Sequence, residues 1–187
     1  MRLLVTGSTG FVGSHLLPRL VEKHEVTCLV SSTAIGTRPL PRDAQICYGD
    51  LTDASLVEGL VRQSRPEAII HLAAVTPVRY SFQFPAIYQS VNFAGTVGLV
   101  QGALRLGSFD RFVFASTMEV YGWQAPRTPF REDRRPHPAS PYAVSKLASE
   151  QYLQMIGRAA GFPHVVLRPC NTFGRRHESG YVVEYVV

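Results

Sequence analysis

Cysteine is scarce in this chain: Cys28, Cys47 and Cys170 are the only three among 187 residues. They are odd in number and far apart, which argues against a disulfide scaffold, and no Cys-x-x-Cys pair or Cys/His spacing suits zinc. Each lies in or beside an apolar run, so buried free thiols are expected. Long hydrophobic stretches are missing too. No apolar run approaches the ~20 residues that cross a bilayer, so no membrane association is expected. The opening Met1-Arg2-Leu3-Leu4-Val5-Thr6 lacks the apolar core and small-residue cleavage site of a secretory signal. A soluble, cytoplasmic protein is the simplest expectation. There are no internal repeats and no low-complexity tract.

What is present is an ordinary globular mix, with 45% apolar and 18% charged residues. The length favours one domain with a sizeable core. The net charge of +5 comes from 19 Lys and Arg against 14 Asp and Glu. Much of the excess is arginine at Arg127, Arg131, Arg134 and Arg135, in a Pro-rich segment over 122–140. A solvated loop and a patch for an anionic substrate are both open readings. Nucleic acid is not expected as a partner, because no binding module accompanies the charge.

Apolar runs alternate with helical stretches along the chain. Strands are predicted at Leu3–Thr6, Val26–Val30, Gln45–Tyr48, Ala68–Leu72, Phe112–Ala115 and His164–Leu167. Several are continuous Val/Ile/Leu/Phe runs, as in parallel strands covered on both faces. Helices are predicted over 11–23, 53–63, 84–106 and 141–160. This alternation implies an α/β protein with a doubly wound parallel sheet, which places ligands beyond the carboxyl ends of the strands.

The first predicted strand runs straight into Gly7-Ser8-Thr9-Gly10-Phe11-Val12-Gly13. Gly7 permits a tight turn, Gly10 lets backbone approach a pyrophosphate, and Gly13 permits close helix–strand packing. Backbone N–H groups and the helix dipole at that start favour phosphate charge. Dinucleotide sites that prefer NAD usually carry an acid at the end of the second strand. Here that strand ends Leu29-Val30-Ser31-Ser32-Thr33, without one. A 2′-phosphate would not be repelled, and Ser31, Ser32 or Arg38 could reach it. The reading therefore leans to NADP over NAD.

Further motifs follow in order: Gly49-Asp50-Leu51-Thr52-Asp53, His71-Leu72-Ala73-Ala74, Asn92-Phe93-Ala94-Gly95-Thr96, Ser116-Thr117-Met118-Glu119-Val120-Tyr121-Gly122, Tyr142-Ala143-Val144-Ser145-Lys146 and Leu167-Arg168-Pro169-Cys170-Asn171-Thr172-Phe173-Gly174. Together they cover nearly the whole chain, which resembles the extended short-chain dehydrogenase/reductases, the NAD(P)-dependent nucleotide-sugar epimerases and dehydratases. The resemblance implies a Rossmann fold over 1–170, with 171–187 the start of a substrate-binding region. Such proteins usually run much further, so truncation is the favoured expectation, ahead of a split protein or a chain that uses only its cofactor site.

Tyr142 and Lys146 are four residues apart and share one helix face. An ammonium near a phenol favours the phenolate, which can take a proton from a sugar hydroxyl while hydride leaves the same carbon. By resemblance, Lys146 also holds the nicotinamide ribose and Thr117 hydrogen-bonds the reacting oxygen, with Ser116 as its rival. Asp50 resembles an adenine contact. Leu51, Leu72, Ala73, Ala74 and Pro169 belong with Gly7, Thr9, Gly10, Phe11, Val12 and Gly13 in the cofactor wall. Asn92 braces the site, and Asn171 resembles a contact to the substrate diphosphate. Glu119 follows Met118 where related dehydratases carry an Asp-Glu pair, which tilts slightly toward elimination or decarboxylation without excluding epimerisation. A homodimer through the helices over 84–106 and 141–160 is implied as well. Two other functions stay open: a non-catalytic dinucleotide-binding regulatory module, and a carbonyl reductase that consumes NADPH.

Overall fold

The structure, a computed structural model, describes residues 1–31, 40–123 and 129–172. Ser32, Arg38, Arg127, Phe173, Gly174 and the apolar stretch 180–187 lie outside the described residues.

Six parallel strands form one sheet: β1 (Arg2–Thr6), β2 (Glu25–Val30), β3 (Ala44–Tyr48), β4 (Ala68–His71), β5 (Arg111–Ala115) and β6 (His164–Leu167). Their order is β3-β2-β1-β4-β5-β6, so the sheet grows outward in both directions from β1 and β4. The crevice beyond the carboxyl ends of those two central strands is where such sheets bind ligands. The register pairs Thr6 with Leu29 on one side and with His71 on the other.

Successive strand residues face opposite sides, and each side finds its own cover. Leu3, Val5, Val26, Cys28 and Val30 pack with Leu17 of α1 (Phe11–Val21). Leu4, Leu29, Ile69, Phe112 and Phe114 pack on the other face. Their partners there come from α2 (Ala54–Ser64), from α5 (Gly95–Leu104) and from α6 (Pro141–Ala160). Two short helices, α3 (Val78–Ser81) and α4 (Pro85–Tyr88), precede a π turn over Gln89–Ala94 that leads into α5. A 3₁₀ turn spans Met118–Tyr121.

Helix boundaries follow local chemistry. Asp53 caps α2 by accepting from the Leu56 N–H at 3.0 Å, and Ser140 caps α6 by accepting from the Ala143 N–H at 3.1 Å. Pro141 opens α6, and Gly161 closes it at φ 63°. The single helix expected over 84–106 is instead a composite, because the π turn interrupts it. The described part of 122–140 carries no helix or strand beyond the 3₁₀ turn that ends at Tyr121. Cys28 is buried and Cys47 half-buried, but Cys170 is exposed, contrary to expectation, because it lies past the end of β6. Burial pushes the Cys28 thiol up.

Two glycines test the packing from opposite directions. A Cβ on Gly13 would run into the Gly7 carbonyl and lie 2.7 Å from the Ser8 Cα, and both are backbone atoms that cannot swing aside. A Cβ on Gly59, inside α2, would meet nothing within 4 Å. Gly13→Ala should therefore destabilise the fold by about 1–3 kcal/mol through overpacking. Gly59→Ala should stabilise it by up to about 1 kcal/mol through helix propensity. Urea unfolding of the two variants checks both signs. A Gly13→Ala midpoint equal to wild type would mean that the glycine turn does not bear on α1 as described.

Candidate dinucleotide and Tyr-Lys site

The site begins where β1 ends. Gly7 adopts φ 75°, and a Cβ there would sit 2.5 Å from the Ala73 N and 2.6 Å from the Leu72 carbonyl carbon. The turn after β1 is thus pressed against the backbone that leaves β4. Gly10 closes the turn with its N–H on the Gly7 carbonyl at 3.0 Å. Gly10 also stands at the start of α1 with no side chain capping the helix. The head of an eleven-residue helix with no side-chain cap, reached by a turn that begins and ends in glycine, could hold a diphosphate. Gly13 packs against the turn itself, so its role is helix-to-turn rather than helix-to-strand contact. Thr9 and Phe11 are half-buried along this rim and Val12 is exposed. A cavity of about 210 Å³ lined by Ser8, Thr9, Ser14, Leu17, Pro18, Leu40 and Pro41 adjoins the turn.

A chain of hydrogen bonds ties this turn to the far side of the crevice. The Ala73 N–H donates to the Thr6 hydroxyl at 3.2 Å, and that hydroxyl lies 2.6 Å from His71 Nδ1. His71 Nε2 is 2.9 Å from the Thr96 hydroxyl, which donates to the Asn92 carbonyl at 2.6 Å. With Thr96 already donating, His71 Nε2 carries the proton and Nδ1 accepts from Thr6. The ring is fully buried beside Phe112 and Phe114. Burial pushes its pKa down to about 3, and the Lys146 charge adds to the shift.

Asn92 sits in the π turn, fully buried. Its side chain accepts from the Val75 N–H at 2.8 Å and donates to the Val75 carbonyl and to the Ser145 hydroxyl, both at 3.1 Å. One amide therefore holds the loop after β4 against α6. Leu72, Ala73 and Ala74 in that loop are half-buried.

Tyr142 and Lys146 lie on the buried face of α6. Lys146 Nζ is 4.4 Å from the centre of the Phe114 ring of β5, a cation–π contact. Burial pushes the ammonium pKa down to about 7, and the Glu150 carboxylate works against that fall. The Tyr142 ring meets Tyr88 edge-on, with centroids 6.2 Å apart. Beyond β5, the Thr117 hydroxyl accepts from the Glu119 N–H at 3.1 Å and starts the 3₁₀ turn. Ser116 is committed elsewhere, since its hydroxyl donates to Glu150. Glu119 is half-buried on the turn.

Sequence reasoning assigned no role to Glu150, which is fully buried. The signal was available, because Glu150 follows Lys146 by four residues and Tyr142 by eight, which keeps all three on one helix face.

The remaining expected contacts spread along the rim. Asp50 follows β3, and its carboxylate accepts from the Thr52 N–H at 2.8 Å and the Thr52 hydroxyl at 2.7 Å. Those bonds hold it below the usual carboxylate range. Leu51 turns its side chain into the core. Ser31 is half-buried at the end of β2. The Pro169 carbonyl accepts from the Met118 N–H at 3.1 Å, and Asn171 is exposed just beyond it. Among the described residues, no group of acids, cysteines and histidines could hold a metal ion.

Comparison with known proteins gives one consistent answer. The sequence model of the NAD dependent epimerase/dehydratase family matches residues 3–187. A UDP-glucose 4-epimerase of Azospirillum brasilense is 37% identical over 175 residues, covering 92% of this chain and 49% of that protein. A GDP-6-deoxy-D-mannose reductase of Pseudomonas aeruginosa is 36% identical over 183 residues, covering 97% of this chain and 56% of that protein. Among solved structures, the UDP-glucose 4-epimerase of Thermotoga maritima with UDP-glucose superimposes with a TM-score of 0.90 at 33% identity. It is covered over 58% of its length by 95% of this chain. The chain thus spans about half the length of the curated relatives it matches.

The buried neutral His71 makes stability depend on pH. Its folded pKa lies below the unfolded value, so its contribution is present above about pH 6.5 and lost as pH falls toward 3. From this group alone the chain should lose about 2 kcal/mol between pH 7 and pH 5. His71→Gln should begin less stable but show a flatter profile over that window. Urea midpoints at the two pH values measure it, and parallel profiles would refute the buried neutral ring.

Proposed function

Because the chain belongs to the NAD dependent epimerase/dehydratase family, we propose that it is the dinucleotide-binding part of an enzyme that oxidises a nucleotide sugar transiently at C4. The observation that carries this reading is the buried face of α6. It presents Lys146 against Phe114 of β5 and, one turn earlier, Tyr142 against Tyr88 of α4. A helix face normally buries apolar groups. A phenol and an ammonium buried there together suit proton transfer, because a neighbouring cation lowers a phenol's pKa.

In this reading Tyr142, as phenolate, takes the proton of the sugar hydroxyl, and Lys146 stabilises that phenolate. Thr117 hydrogen-bonds the reacting oxygen. Gly7, Gly10 and the start of α1 hold the diphosphate, Asp50 contacts the adenine end, and Asn171 meets the substrate diphosphate. A nicotinamide bound there would supply the hydride acceptor. Glu119 stands one residue past Met118, where a carboxylate would serve elimination or decarboxylation after oxidation. An epimerase would leave it unused. The end of β2 carries Ser31 and no acid, so it admits NADP as well as NAD. Self-association through α5 and α6 belongs to the same reading, and Val144 and Met155 are exposed apolar residues on α6.

The chain should bind NADH or NADPH saturably, followed through Trp123, whose surface is 84% exposed. Tyr142→Phe should leave that affinity within about twofold, whereas Lys146→Met should weaken it roughly tenfold by removing a ribose contact worth about 1.4 kcal/mol. In a preparation that turns over a nucleotide sugar, Tyr142→Phe should abolish the reaction. Failure to bind either dinucleotide would remove the cofactor assignment. Near-normal turnover by Tyr142→Phe would remove the mechanism.

A further inference from the structure

Glu150 is fully buried one turn beyond Lys146, and the reaction described above does not use it. Its carboxylate accepts from Arg168 Nε at 3.1 Å to each oxygen, from Arg168 Nη2 at 2.6 Å, and from the Ser116 hydroxyl. Arg168 also donates to the Tyr121 phenol at 2.8 Å, and its guanidinium lies 4.9 Å from the Tyr121 ring centre. The clamp therefore joins four places: α6, the exit of β5, the 3₁₀ turn and the residue after β6. Side-chain exposure is 18% for Arg168 and 1% for Glu150. An ion pair that deep adds little net stability over apolar side chains of the same volume, so its presence calls for another reason.

Lys146 supplies the reason. Phe114 offers it only a ring face, and among the described residues no carboxylate forms an ion pair with it. The elements around it bring little other charge. His71 on β4 is neutral, and Asn92 and Thr96 on the π turn and α5 are uncharged. Tyr88 of α4 packs on Tyr142, while Arg79 of α3 is exposed. On the 3₁₀ turn, Tyr121 is bonded to Arg168 and Glu119 is half-buried. His164 of β6 contacts the Phe162 carbonyl at 2.9 Å.

We propose that Glu150 is a positioning residue: clamped by Arg168 and Ser116, its carboxylate is the fixed counter-charge that keeps Lys146 an ammonium one turn from Tyr142. The proposal rests on Tyr142 and Lys146 being the reacting pair. Burial alone drives Lys146 toward the neutral amine, which could neither stabilise a phenolate by charge nor attract an anionic dinucleotide. Glu150 opposes that loss, and the Ser116 hydroxyl holds its carboxylate in place.

The chain has only two lysines, Lys23 and Lys146, and Lys23 is exposed. Carbon-13 NMR of chain labelled at lysine Cε therefore reads Lys146 directly, with Lys23 as an internal reference. Glu150→Gln should lower the Lys146 midpoint by about one unit or more and leave Lys23 unmoved. It should also weaken NADH or NADPH binding several-fold at pH 8, with recovery at pH 6. Arg168→Gln removes a cation and frees the carboxylate, so the Lys146 midpoint should hold or rise. General loosening of the site would move both variants the same way. Should Glu150→Gln fail to fold with Arg168 left unpaired, the double variant Glu150→Gln/Arg168→Gln replaces it, and a lowered midpoint is again expected because the nearer charge is gone. An unchanged Lys146 midpoint in the folded variant overturns the proposal, as does an equal fall in Arg168→Gln. If wild-type chain binds no dinucleotide, the cofactor reading fails, and this role falls with it. If it binds and Lys146 does not shift, only the role of Glu150 fails.

Discussion

Keeping an ammonium out of water is costly unless opposite charge or oriented dipoles replace the lost hydration, and the arrangement around α6 follows from that constraint at Lys146. The helix must present polar residues inward, so Ser145, Lys146, Ser149 and Glu150 are all buried on it. Their partners lie on other elements. Ser145 meets Asn92, Ser149 donates to the Asn92 carbonyl at 3.1 Å, Lys146 faces the Phe114 ring, and Glu150 takes Arg168 and Ser116. One helix thereby fixes β5, the π turn and the segment past β6 relative to one another.

The opposite wall of the crevice is set by the meeting of two backbones. Gly7 and the Leu72–Ala73 peptide come so close that no side chain fits between them. The Thr6–His71–Thr96 chain carries that contact across to the π turn, which it joins at the Asn92 carbonyl. That carbonyl accepts the hydroxyls of both Thr96 and Ser149. The glycine-turn wall and the Tyr-Lys wall are therefore connected by a short, buried and hydrogen-bonded path.

Much of this was legible in the residues. Strand runs, the glycine turn and the Tyr142–Lys146 pair depend on neighbours within a few positions, and α6 occupies the predicted span. The composite helix over 84–106 was not legible, because a π turn depends on what its carbonyls and side chains meet across the fold. Cys170 was misplaced because an apolar neighbourhood in sequence says nothing about what covers it. Of two adjacent hydroxyls, the resemblance favours Thr117, with Ser116 as its rival. Strand alternation and the start of the 3₁₀ turn separate them, directing one hydroxyl to Glu150 and the other to the Glu119 N–H.

By itself the sequence determined the parallel α/β class, the glycine turn and the helix face shared by Tyr142 and Lys146, since each signal is written within one strand or two helical turns. Only the tertiary structure decided which groups surround Lys146. Ser116 and Glu150 are 34 residues apart, and Glu150 and Arg168 are 18 apart. They meet because β5 pairs with β6 and α6 crosses back over both, and no local periodicity records such a meeting.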